Sequence, residues 1–121
     1  METFIKHSNP EALAKRIVYT AFNASQVMGM GIFMDRGDQT EDEVWESAVG
    51  RHDYPGRPSD GYNRVYCDYV NGRMMKLDVR WDDLGVYMPS DDHTPRLDYQ
   101  SWCGTYPTYS ALVDEAVNSL D

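Results

Sequence analysis

The chain has 121 residues, 41% of them hydrophobic and 12% aromatic, and a net charge of −9 from 20 acids and 11 bases. That length fits one domain spanning residues 1–121, and the composition excludes a disordered chain. The charge repels polyanions, so it argues against direct contact with nucleic acid or an anionic membrane unless the 11 bases cluster.

Residues 1–9 lack the apolar segment of a signal peptide. The first element is a helix over about 10 to 24, with Ser8 or Asn9 as cap and Pro10 in the first turn. Leu13, Ile17 and Ala21, with Ala14, Val18 and Phe22 beside them, form its apolar stripe, and Lys15 and Arg16 are expected to face outward. The alternation of Met28, Met30, Ile32 and Met34 then argues for a strand within Gln26–Met34, with a loop as the alternative for 28–31. After a turn at 35–39, Thr40 and Glu43 have the spacing of a capping box, and a helix follows over about 41 to 49. Residues 50–61 hold Pro55, Gly56, Pro58 and Gly61 and read as loop.

The β-rich runs Tyr62–Val70 and Arg73–Trp81 are joined by Asn71-Gly72, the preferred two-residue hairpin turn. That turn pairs Val70 with Arg73 and, with no irregularity, Asp68 with Met75 and Tyr66 with Leu77. Tyr66, Leu77 and Val79 would then share one face, and Val65, Cys67 and Asp78 the other. A turn at 82–85, with Gly85 in a left-handed position, leads to a short strand Val86–Met88 that Pro89 ends. Together the hairpin and this strand are expected to expose a sheet edge. A loop at 90–96, a helical turn from Asp98 to Trp102 and a last helix beginning within Thr105–Pro107 complete the chain. Tyr109, Leu112, Val113, Ala116, Val117 and Leu120 lie on its stripe. The fold class is α+β, with a small antiparallel sheet (the hairpin plus one or two short strands) packed by N- and C-terminal helices.

No phosphate loop, dinucleotide fingerprint, zinc-ligand spacing or nucleophile elbow is present, so no cofactor, metal or catalytic residue is expected. Cys67 and Cys103 are too few for a disulfide framework. No apolar run approaches the ~20 residues of a membrane helix. A cytoplasmic protein with reduced thiols is expected. Acids concentrate in two segments. Asp35, Asp38, Glu41, Asp42, Glu43 and Glu46 stand against Arg36 alone, and Asp82, Asp83, Asp91 and Asp92 stand against no base. These are the candidate partner-binding residues, since neighbouring carboxylates could occupy a basic groove built for phosphates. Trp45, Tyr87 and Tyr99 are candidate aromatic contacts.

In general character, small, acidic and free of catalytic motifs, the chain resembles the anti-defence proteins of phages and mobile elements, of anti-CRISPR or anti-restriction type. No residue pattern carries that likeness, and no functional residue is transferred from it. It implies a non-enzymatic inhibitor whose partner is a host complex with a basic groove, such as a CRISPR–Cas effector or a restriction enzyme. Two alternatives stand beside it. One is a homo-oligomeric accessory domain, a homodimer for instance. The other is a metal-binding or hydrolytic enzyme using His52, Asp53, Asp91, Asp92 and His93.

Overall fold

In the computed structural model, residues 3–28, 39–50, 63–70, 73–89 and 106–120 are described. Their elements run β1 (Thr3–Lys6), α1 (Pro10–Met28), α2 (Glu41–Gly50), β2 (Asn63–Val70), β3 (Arg73–Trp81), β4 (Gly85–Met88) and α3 (Tyr109–Leu120). The four strands form one antiparallel sheet in the order β1-β4-β3-β2. Helix α1 packs on β3 and β4 and also contacts α2 and α3, while α2 rests on β2. The α+β class is therefore as expected.

Capping sets the helix starts. The Ala12 N–H donates to Asn9 Oδ1 at 3.3 Å, and the Asn9 N–H donates to His7 Nδ1 at 3.0 Å. At α2 the capping box closes in both directions: the Glu43 N–H reaches Thr40 Oγ1 at 3.1 Å, and the Thr40 N–H reaches Glu43 Oε1 at 2.9 Å. Helix α3 starts later than the sequence suggests. Thr108 caps it, accepting from the Ala111 N–H at 3.1 Å, so 106 and 107 precede the helix.

Helix α1 continues to Met28, so Gln26–Met28 are helical and not the start of a strand. No helix breaker stands before Gly29, and Ala24, buried like Leu13, Ile17 and Ala21, extends the same stripe. The rest of the expected strand, 29–34, lies outside the described residues, as do the turn at 35–38, the loop at 51–61, the hairpin turn Asn71-Gly72, the loop at 90–96 and the helical turn at 98–102.

The hairpin register differs from expectation. Val70 pairs with Arg73 and Tyr69 with Met74, but Cys67 pairs with Leu77 and Tyr66 with Asp78, across an irregularity between Cys67 and Tyr69. Two steps along β2 match three along β3, so β3 carries one extra residue. This bulge exchanges the faces of one strand relative to the other. Its benefit is packing: Val65 and Cys67 now lie on the same face as Leu77, Val79 and Trp81, and all five are buried. A regular ladder would have turned the two apolar sets to opposite sides.

Strand β1 was not legible as a strand, and it covers the edge that Val86–Met88 was expected to expose. Ile5 pairs with Val86 and Phe4 with Tyr87. Gly85 owes its place to that pairing and not to a left-handed turn. A Cβ there would lie 2.2 Å from the Ile5 carbonyl oxygen and 2.8 Å from a Phe4 ring carbon, and its φ is not in the left-handed region. The core gathers Leu13, Ile17, Val18 and Phe22 of α1, Val44 and Ala48 of α2 and Leu112 and Ala116 of α3 onto Leu77, Val79, Val86 and Met88 of the sheet.

Candidate functional site

The acids of α2 are engaged within the fold to different degrees. Arg16 grips Glu41 with two donors, Nε to Oε2 at 2.8 Å and Nη2 to Oε1 at 3.2 Å. The same guanidinium donates through Nη1 to the Ser119 carbonyl at 2.7 Å and to Ser119 Oγ at 3.1 Å. One α1 side chain thus joins α2 to the end of α3, and the expected outward-facing Arg16 is half-buried. Lys15, also half-buried, pairs with Asp42. The Asp42 hydrogen bond is the main cause that raises the Lys15 pKa above its ordinary value. Glu43 serves the cap. Glu46, Asp114 and Glu115 are exposed, with no ion pair among the described residues.

Of the other acidic candidates, Asp82 organises the β3–β4 turn. Its Oδ1 accepts from the Leu84 N–H at 2.8 Å and the Gly85 N–H at 3.2 Å, and its Oδ2 accepts from the Tyr87 hydroxyl at 3.0 Å. Desolvation pushes the Asp82 carboxyl upward, but these hydrogen bonds outweigh it, so its pKa falls below the ordinary 3.8. A depressed carboxyl stabilises the fold above the unfolded value and loses that effect as pH drops through the folded one. Asp82→Ala is therefore expected to cost about 1 kcal/mol at neutral pH, reduced by its partial exposure. Urea unfolding at pH 7 and pH 3 measures it, and the cost should shrink at the lower pH. Asp83 is exposed in the same turn. Asp35, Asp38, Asp91, Asp92 and Tyr99 lie outside the described residues, as do His52, Asp53, His93 and Cys103.

Trp45 is half-buried and lies 5.6 Å, centroid to centroid, from the Trp81 ring. It packs on the core, which explains its position without a partner. Cys67 is fully buried in the core. Among the described residues, no three His, Cys, Asp or Glu side chains gather as metal ligands would, and no helix is long and apolar enough to cross a membrane.

Sequence reading missed the sheet face opposite the core. Register aligns Phe4, Tyr87, Arg80 and Arg64 in one row across all four strands. The Phe4 and Tyr87 rings meet at 4.8 Å, and the Arg80 guanidinium carbon lies 5.8 Å from the Tyr87 centroid, within cation–π range. Asp78 holds Arg64 through two hydrogen bonds of 2.8 and 2.6 Å. Arg64, Asp78, Arg80, Tyr87 and Pro89 line an open cleft of about 310 Å³. The alternation of Arg64 and Tyr66 with Val65 and Cys67 was the available signal. It became a face only when the bulge matched it to Asp78 and Arg80.

Charge is divided between the two kinds of element. The helices carry Glu11, Glu41, Asp42, Glu43, Glu46, Asp114 and Glu115 against Lys15 and Arg16, a net of −5. The strands carry Lys6, Arg64, Arg73, Lys76 and Arg80 against Asp68 and Asp78, a net of +3. The chain matches no family model, no curated protein and no solved structure.

Proposed function

We propose that this chain is a non-enzymatic binding protein that acts in the cytoplasm by blocking a basic groove on a nucleic-acid-handling complex, such as a CRISPR–Cas effector or a restriction enzyme. The supporting observation is the net charge of −9, to which α1, α2 and α3 contribute −5 and the strands +3, the remaining −7 lying in the segments between them. Among the regular elements it is the helices, not the strands, whose charge suits a cationic groove. Among the helix acids, Glu11, Glu46, Asp114 and Glu115 are exposed and outside the described ion pairs and caps, whereas Glu41 is gripped by Arg16, Asp42 pairs with Lys15 and Glu43 serves the cap.

The test follows from that division. The tagged protein is used to capture partners from a bacterial lysate at low and raised salt, beside a triple variant, Glu46→Lys, Asp114→Lys and Glu115→Lys. The expected result is a nucleic-acid-handling complex retained at low salt, released as salt rises, and lost by the variant while its thermal unfolding is unchanged. Capture that neither salt nor the triple reversal weakens would overturn the acidic mode of binding. An empty bait under both conditions would overturn the proposal as a whole.

A further inference from the structure

We infer that the sheet face opposite the core is a binding site for single-stranded nucleic acid, with phosphate held at Arg64 and Arg80 and bases set against Phe4 and Tyr87. The chemistry is on one row. Two guanidiniums supply planar donors suited to phosphate oxygens, and two aromatic rings supply the apolar surface on which bases stack. Phe4 is 44% exposed although it is large and apolar, a placement that a ligand's burial would repay. Lys6, exposed two positions along β1, adds a third cation beside the row.

Preorganisation and reach support the same ligand. Asp78 fixes Arg64 through two hydrogen bonds to one edge of its guanidinium, and Asp82 fixes the Tyr87 hydroxyl, so less side-chain freedom is lost on binding. The row crosses three inter-strand steps of about 4.8 Å, roughly 14 Å in all. That span suits an extended chain of nucleotides better than one. The cleft of about 310 Å³ sits at the lower end of the ~300–1,000 Å³ of small-ligand sites, enough for one unit of that chain. Among the described residues of this face, Lys6, Arg64 and Arg80 outnumber Asp78, the partner of Arg64, and such a local excess of base lets a chain of charge −9 approach a polyanion.

Fluorescence anisotropy with labelled oligo-U and oligo-dT tests this on the full chain, with unlabelled uridine monophosphate as competitor. At physiological salt the wild type should bind one or both oligomers with a Kd within about 10⁻⁴–10⁻⁶ M, and more tightly as salt is lowered. Arg80→Gln and Lys6→Gln should each weaken binding and lower the salt slope by about 0.7, the value for one phosphate contact on a single strand. Phe4→Ala should weaken it about tenfold, as loss of one stacked base does. Lys6→Gln alters only an exposed edge side chain, so it reports on binding even if another variant unfolds. No binding of either oligomer, binding indifferent to all three substitutions, or binding of the mononucleotide alone would overturn the inference. The acidic helices play no part in it, so its failure leaves the lysate experiment unaffected.

Discussion

Replacing Gly85 by alanine should destabilise the protein by about 3 kcal/mol, at the upper end of what overpacking costs. The added methyl meets the Ile5 carbonyl oxygen at 2.2 Å, and a backbone atom of a paired strand cannot step aside alone. Either β1 moves off β4 along the whole of Thr3–Lys6 or the β3–β4 turn opens. Both lose the Leu84 carbonyl's bond from the His7 N–H at 3.2 Å. Phe4 also leaves Tyr87, so the row on the outer face loses one end. Urea unfolding gives the magnitude, and hydrogen exchange at Ile5 shows whether β1 is the part released. A change below about 0.5 kcal/mol, the level of an ordinary surface substitution, would mean that β1 is not held against β4 as described.

Arg16→Ala should cost about 2 kcal/mol, which lowers the melting temperature by roughly 8 °C at this chain length. Four hydrogen bonds are lost from one side chain, two to Glu41 and two to Ser119. The Arg16 and Glu41 side chains are 22% and 25% exposed, so water replaces the lost partner only in part. The neighbouring pair is the control. Asp42 is 76% exposed, and Asp42→Asn should change stability by about 0.5 kcal/mol or less. A double-mutant cycle between Arg16→Ala and Glu41→Gln isolates their coupling. Equal effects at Arg16 and Asp42 would contradict a special role for Arg16.

The helices were legible because their signals are local. Thr40 and Glu43 specify a helix start within four residues, and the stripe from Leu13 to Phe22 needs only a period of 3.6. What stayed hidden depends on distant pairing. Thr3–Lys6 is too short for an alternation to be convincing, and it becomes a strand because β4 offers it a partner. The bulge near Cys67 reflects a demand of the core, not of the Asn71-Gly72 turn, so extrapolating from the turn inverted the faces. The candidate sites divide the same way. Clustered acids are visible in a string of letters, but their neutralisation by Lys15 and Arg16 crosses from α1 to α2. The row of Phe4, Tyr87, Arg80 and Arg64 draws on four strands and has no local signature.

Strand β1 also sets an order of events during synthesis. Its partner β4 lies about 80 positions downstream, so the loop between them must close before any of their hydrogen bonds can form. The β2–β3 hairpin needs no such wait and can form while the rest of the chain is still emerging. Strand β1 thus leaves the ribosome before β4 and cannot pair until β4 has followed it. Until it does, β4 is an unpaired edge open to another chain's strand, and the nascent protein is most exposed to misassembly in that interval.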